Sequence, residues 1–214
     1  MPAESLKRKR LRMPEVLSLL KLEYPDSKCS LNYNSPFQLL VATVLSAQCT
    51  DERVNKVVVP LFEKYPTPED FTHLTIAEIG KEIYSTGFYN NKAKSIKGLS
   101  HALLDEYGGE VPGTMDALVK LPGVGRKTAN VVLGNIFDVP GVVVDTHVTR
   151  ITNLLGFTKS KNAVVIEREL EKIIEEKDWT LFTHLIIDHG RAICVANRPN
   201  CTECSISSFC PSST

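Results

Sequence analysis

A surplus of charge is the first thing this sequence lacks: 25 Lys and Arg residues stand against 25 Asp and Glu. The chain as a whole therefore presents no field that would draw it to nucleic acid or to a membrane surface, and any affinity for a polyanion must come from local patches. Apolar runs of membrane-spanning length are missing too. The basic start, Leu6-Lys7-Arg8-Lys9-Arg10-Leu11-Arg12, is not followed by the apolar core of a secretion signal. A soluble, intracellular protein is expected. Three readings of that basic tip stay open: a patch for DNA, a nuclear-localisation signal, or a solvated tail. Strand signals are nearly absent, and neither an internal repeat nor a low-complexity tract appears. With 214 residues, 43% apolar and 23% charged, the chain can bury one large or two small helical cores.

What is present is a succession of helices. Val16, Leu19, Leu20 and Glu23 follow helical spacing between Pro14 and Tyr24, where Pro25 ends the pattern. Ser35-Pro36 supplies a cap and a first-turn proline, and Phe37, Leu39, Leu40, Val41, Val44 and Leu45 make the following helix apolar nearly all round, as a buried central helix must be. Asp51 is placed to cap a third helix that meets Pro60. Thr75 and Glu78 form a capping box, and from Asn91 to Tyr107 the residues Ile96, Leu99, Leu103 and Leu104 share one face. Thr114 is expected to cap a short helix over Met115 to Lys120. Helices are further expected over Asp145 to Leu155, Ala163 to Glu176 and Trp179 to Gly190. The inventory is an all-α protein of about ten helices.

One stretch stands out chemically. In Leu121-Pro122-Gly123-Val124-Gly125-Arg126-Lys127-Thr128-Ala129-Asn130, Pro122 stops a helix and the two glycines allow a tight hairpin before the apolar run Val131, Val132, Leu133. Such a hairpin leaves the amides of Val124, Gly125 and Arg126 at a helix N-terminus, where they suit a phosphate oxygen. An ordinary interhelical turn would look similar. The lysine argues for more, because Lys127 falls in the first helical turn, where the macrodipole disfavours a cation. Further on, Val142-Val143-Val144 runs into Asp145-Thr146-His147-Val148, with an aspartate able to cap the next helix. An amine and a carboxylate thus accompany the turn.

The six cysteines of an intracellular chain argue against disulfides. Four of them, Cys194, Cys201, Cys204 and Cys210, crowd one short terminal segment and call for a metal; their spacing alone permits structural zinc or an iron-sulfur cluster. Cys29 and Cys49 are more simply read as small apolar residues.

The segments L-P-G-V-G-R-K-T-A and V-D-T-H-V resemble the helix-hairpin-helix DNA glycosylase superfamily, and within it the iron-sulfur-containing endonuclease III family. Ser46-Ala47-Gln48, Thr50-Asp51, the run from Gly87 to Ala93, Gly109-Glu110-Val111-Pro112, His189-Gly190-Arg191 and the four terminal cysteines carry the resemblance across nearly the whole chain. It implies a six-helix domain over residues 29–139, and a discontinuous helical domain of residues 1–28 and 140–214 bearing a [4Fe-4S] loop. Lys127 and Asp145 are implied on opposite walls of the cleft between the domains. The implied activity is that of a bifunctional DNA glycosylase and AP lyase. Lys127 would displace an oxidised pyrimidine from duplex DNA and nick the strand by β-elimination, with Asp145 as its acid-base partner.

The resemblance also implies that Gln48 fills the vacated stack while Phe88 wedges the other side. Gly123, Val124, Gly125, Arg191 and Arg198 would contact the DNA backbone, and Cys194, Cys201, Cys204 and Cys210 would hold the [4Fe-4S] cluster. A monomer is expected. Two departures are visible. Phe88 stands where the family more often has leucine, and the cysteine loop offers only Arg198 as a cation. Adenine glycosylases of the superfamily lack the lysine and carry a further C-terminal domain. A U/T mismatch glycosylase is a rival, since pocket residues set base choice. A non-catalytic DNA-binding module is another, and it would need neither Lys127 nor Asp145.

Overall fold

The computed structural model describes residues 4–213. Among them are eleven α-helices, four short 3-10 turns and no strand. The chain divides into two compact units: one holds the chain up to Cys29 and from Pro140 onward, and the other is the continuous stretch Ser30–Val139.

The continuous unit is built around α2 (Pro36–Ser46), which is capped by Ser35 and buries every residue from Phe37 to Leu45. An apolar helix with no polar face has to be surrounded. Accordingly α3 (Asp51–Lys64), α6 (Tyr89–Tyr107) and α8 (Arg126–Ile136) all pack on it. The short helices α4 (Pro68–His73) and α5 (Ile76–Glu82) open with capping boxes, Thr67 with Asp70 and Thr75 with Glu78, and lie against α6. In α6 the fully buried Ala93, Ile96, Leu99 and Leu103 form the expected apolar face. The helix starts at Tyr89, two residues earlier than the periodicity suggests. One turn, α7 (Met115–Leu118), precedes α8. Thr114 stands at its N-cap without a side-chain hydrogen bond, so α7 is held by the buried Leu118 and Leu121 rather than by a cap.

The other unit packs α1 (Leu6–Glu23), α9 (Thr146–Leu154), α10 (Ala163–Glu171) and α11 (Trp179–Ala192) around one core. Met13, Val16, Leu17 and Leu20 of α1 interlock there with Val148, Ile151, Ile166, Leu170, Phe182, Leu185 and Ile186. The chain beyond α11 closes over this core through Ile206, 1% exposed.

Two prolines do not stop their helices. α1 begins at Leu6, capped by Ser5, and runs through Pro14; α3 runs through Pro60 to Lys64. Both prolines are exposed, so each carbonyl deprived of its partner sits on a solvent face where water replaces the lost bond. The cap of α3 is Thr50, whose hydroxyl accepts from Arg53, and Asp51 becomes the first helical residue. Threonine and aspartate compete for the position, and the aspartate still favours the positive helix end.

The basic tip is not a solvated tail. It forms the first two turns of α1, and three of its five cations make contacts within the unit, while Lys7 and Arg8 are exposed. Lys9 Nζ donates to the Phe157 carbonyl at 2.8 Å, and Arg10 Nε to that of Lys172 at 2.7 Å. Arg12 bridges the carbonyls of Leu155 (2.7 Å) and Phe209 (2.5 Å), pairs with Glu4 at 2.6 Å, and lies 4.2 Å over the Phe157 ring.

Candidate active site and nucleic-acid interface

The hairpin docks on α6 by two close approaches. A Cβ on Gly98 would come 3.1 Å from Pro122 Cβ, and a Cβ on Gly123 would come 2.4 Å from Ser95 Cβ. With its φ of +77°, Gly123 is doubly required to be glycine. Its missing side chain makes room for Ser95 and not for a visitor. Val124 is buried, and its amide already donates to the Leu121 carbonyl at 3.1 Å, contrary to the expectation that it stands unpaired. A tight turn closes its own bonds before it can serve a ligand.

Gly125 differs. Its φ of −95° and ψ of 174° suit any residue, and a Cβ there would meet nothing within 4 Å. Nothing in its own chain requires a glycine at this position, which is the N-cap of α8. No side chain caps that helix, and no acid occupies its first turn. Lys127 is in that turn, exposed, and backed by the packing of α8 on α2.

Gln48 and Phe88 occupy the two other turns of interest in this unit. Both are exposed, and both adopt left-handed backbone, with φ of 53° and 49°. With Asp138 they complete the non-glycine residues of positive φ among those described. Such a conformation costs on the order of 1–2 kcal/mol per residue and persists only where neighbours enforce it. Lys92, which the sequence alone does not single out, reaches the chain shortly before both turns. Its side chain is buried, and Nζ donates to the carbonyls of Leu45 and Thr86, both at 2.8 Å. Burial pushes this ammonium below the ordinary lysine value. A signal existed: Lys92 falls on the stripe of Ile96, Leu99 and Leu103, where an apolar residue would be ordinary.

In the other unit Asp145 caps α9 as anticipated. Its Oδ1 accepts the Val148 amide at 2.7 Å, which fixes the carboxylate at the start of the helix and leaves Oδ2 uncommitted to the cap. His147 lies against Gly190, where a Cβ would come 2.4 Å from Nδ1, and Nδ1 is buried without a partner. This contact supports a packing role for both residues.

The four terminal cysteines line one cavity, together with Ile151, Leu155, His189, Ile193 and Ile206. No group of three or more described His, Cys, Asp and Glu side chains is arranged to hold a metal ion. Two ring or guanidinium nitrogens face the sulfurs: Arg150 Nη1 donates to Cys194 Sγ at 3.4 Å, and His189 Nε2 lies 3.6 Å from Cys204 Sγ. His189 Nδ1 in turn meets the Tyr24 hydroxyl at 3.2 Å, and Tyr24 donates to Glu23. Burial pushes the Cys204 and Cys210 thiols up, so deprotonation there calls for a nearby cationic centre. Arg191 is exposed in the last turn of α11, and Arg198 is exposed on the loop between Cys194 and Cys201.

A helical hairpin with an uncapped helix end, an exposed first-turn lysine and a terminal four-cysteine cavity define a class. The family model described as "HhH-GPD superfamily base excision DNA repair protein" matches residues 41–176, and the chain belongs to that superfamily. Within it, the chain is 51% identical over 205 residues to the endonuclease III of Synechocystis sp., covering 95% of this chain and 94% of that one. Its fold matches an endonuclease III in a non-covalent complex with DNA, with a TM-score of 0.91, 44% identity and coverage of 95% and 96%. A trapped covalent endonuclease III-DNA intermediate matches at a TM-score of 0.90, with the same identity and coverage.

Proposed function

We propose that this protein is a base-excision-repair DNA glycosylase and AP lyase that acts on damaged double-stranded DNA as a soluble intracellular monomer, with oxidised pyrimidines as its substrate class. One observation carries the reading: an exposed lysine stands in the first turn of a helix with no side-chain cap, behind a glycine whose missing Cβ accommodates nothing of its own chain. That arrangement suits a phosphate at the helix end and an amine beside it. The likeness to a protein trapped covalently on DNA supports the chemistry.

A base within the stack cannot be reached at its sugar, so the nucleotide is extruded at a cost of a few kcal/mol. Gln48 and Phe88, exposed at the tips of their turns, enter the gap. Lys127 Nζ, as the free amine, attacks C1′ and the C1′–N bond to the base breaks. The base leaves with a proton, the nitrogen gives up one proton, and the C1′–O4′ bond then opens with O4′ taking a proton as the protonated Schiff base forms at C1′. Loss of a C2′ proton then breaks the C3′–O bond and nicks the strand on the 3′ side. Asp145 Oδ2 serves proton transfer or offsets positive charge on the sugar, while Oδ1 remains in the helix cap. Gly125, with Gly123 and Val124 shaping the turn before it, receives the phosphate; Arg191 and Arg198 add cations.

We assign Cys194, Cys201, Cys204 and Cys210 to a [4Fe-4S] cluster. A cubane takes one cysteine thiolate on each of its four irons, and this chain supplies four cysteines lining one cavity. When bound, the cluster ties the terminal segment into a fixed lobe. The residues of this chain do the rest: Arg150 and His189 orient two of the sulfurs, and Ile206 anchors the loop in the core.

Sodium borohydride tests the central claim. Mixed with a duplex bearing a single abasic site, the protein should form a covalent adduct that survives denaturation. Absence of both adduct and strand nicking would remove the lyase reading.

A further inference from the structure

The buried ammonium of Lys92 joins two segments of chain that have no reason of their own to meet. Leu45 is the penultimate residue of α2, three positions before Gln48, and Thr86 ends the turn two positions before Phe88. Their carbonyls receive the same Nζ, each at 2.8 Å. A charge costs free energy to bury unless its donors are matched, and here they are matched by two carbonyls that methionine in the same slot of α6 would leave without this donor. The amine is therefore retained for what it ties down. What it ties down are the bases of two left-handed turns, and each turn presents an exposed side chain.

We infer that Lys92 is a positioning residue for DNA opening: its ammonium locks the Gln48 turn and the Phe88 turn into one preformed two-pronged wedge. This rests on the glycosylase reading. A pair of loose turns would have to be ordered at the moment of insertion, which would add to the cost of extruding the nucleotide. A pair fixed during folding meets the duplex already set. Lys92 touches neither the sugar nor the base in this account, and acts through Gln48 and Phe88.

The test compares Lys92→Met with the wild-type full-length protein on two duplexes, one carrying an intact thymine glycol and one carrying a preformed abasic site, where no base must be extruded. Base release from thymine glycol should fall about 10- to 100-fold, as for misplaced reacting groups, while nicking and borohydride trapping at the abasic site stay within about twofold. The fluorescence rise of 2-aminopurine placed opposite the lesion should be lost on binding. A loss shared equally by both duplexes, or no loss on either, overturns the inference. If Lys92→Met does not fold, Gln48→Gly and Phe88→Gly decide, because glycine relaxes a left-handed turn. They should restore folding to the Lys92→Met chain, and failure to do so overturns the inference. A wild-type protein that traps on no abasic duplex removes the glycosylase reading itself. A wild type that traps while the variant loses both activities in parallel removes only the role of Lys92.

Discussion

Asp145 Oδ1 accepts the backbone N–H of Val148 at 2.7 Å, so the carboxylate proposed for catalysis is also the cap of α9. One substitution separates the two tasks. Asparagine caps a helix as well as aspartate does, whereas alanine costs about 0.5–2 kcal/mol at such a position. Asp145→Asn should therefore melt with the wild type, and Asp145→Ala should melt lower. Both should lose base release by about 10²- to 10⁴-fold, the usual cost of a missing acid-base group. Thermal melting and single-turnover base release check the pair. An Asp145→Asn protein with near wild-type base release would end the catalytic assignment.

Lys127 is exposed, so its removal should cost the fold little. Lys127→Gln is expected to melt within about 0.5 kcal/mol of the parent, as surface changes do, and to bind DNA almost as well. The borohydride-trapped adduct should vanish. If full strand nicking persists, another amine or a water-based mechanism has to take over.

The two hairpin glycines should answer opposite questions. Gly123→Ala puts a Cβ 2.4 Å from Ser95 Cβ at a φ of +77° and is expected to cost about 2–4 kcal/mol of stability. Gly125→Ala meets no atom within 4 Å and should stay within about 1 kcal/mol of the parent. Yet it should weaken DNA binding, and Gly125→Asp should weaken it more, equally for all sequences. Denaturant titration and fluorescence anisotropy read the two effects. Because net charge is zero, the slope of log K against log salt should be no steeper than about −8, at about −0.9 per phosphate contact.

Iron is expected in the cysteine cavity. The purified protein should be brown, and Cys201→Ser should lose the colour and much of the order of the terminal lobe, seen as protease sensitivity after α11. Stoichiometric zinc without iron in anaerobically prepared protein would refute the cluster.

Gly190→Ala should destabilise its unit without touching DNA affinity directly. Its Cβ would come 2.4 Å from the buried Nδ1 of the half-buried His147 and 2.9 Å from Cδ1 of Ile151, a core residue of that unit. An overpacking cost of about 1–3 kcal/mol, read by denaturant titration, is the expected outcome.

Several features decided by residues close in sequence are readable in it, although Thr50 displaces Asp51 as the cap of α3 and Thr114 makes no capping bond. The Thr75 capping box, the Ser35-Pro36 start of α2 and the Asp145 cap each involve neighbours three positions apart or fewer, and each stands as expected. Features decided at long range are not. Gly123 looked like room for a ligand because Ser95, which fills that room, lies on another helix. None of the three readings of the basic tip includes its packing role, because the carbonyls that hold Lys9, Arg10 and Arg12 lie at least 143 residues further on. Pro14 and Pro60 looked like helix ends because a pattern of residues does not say which face water will reach. Lys92 belongs to the Gly87 to Ala93 run that carries the family resemblance, but its position on an apolar stripe is the informative fact.

The apolar face of α1 consists of Met13, Val16, Leu17 and Leu20, and the other buried residues of its core cluster lie between Val142 and Ile206. This helix therefore leaves the ribosome before those partners do. Meanwhile Ser30–Val139 is a continuous stretch that forms one compact unit. Folding of the outer unit during synthesis thus departs from the usual N-terminal-first order. The inner stretch is complete while α1 waits on the nascent chain with its apolar side unpaired. A message truncated before Ile206 would leave that side without its full partner set, so quality control has a simple mark by which to recognise an unfinished copy.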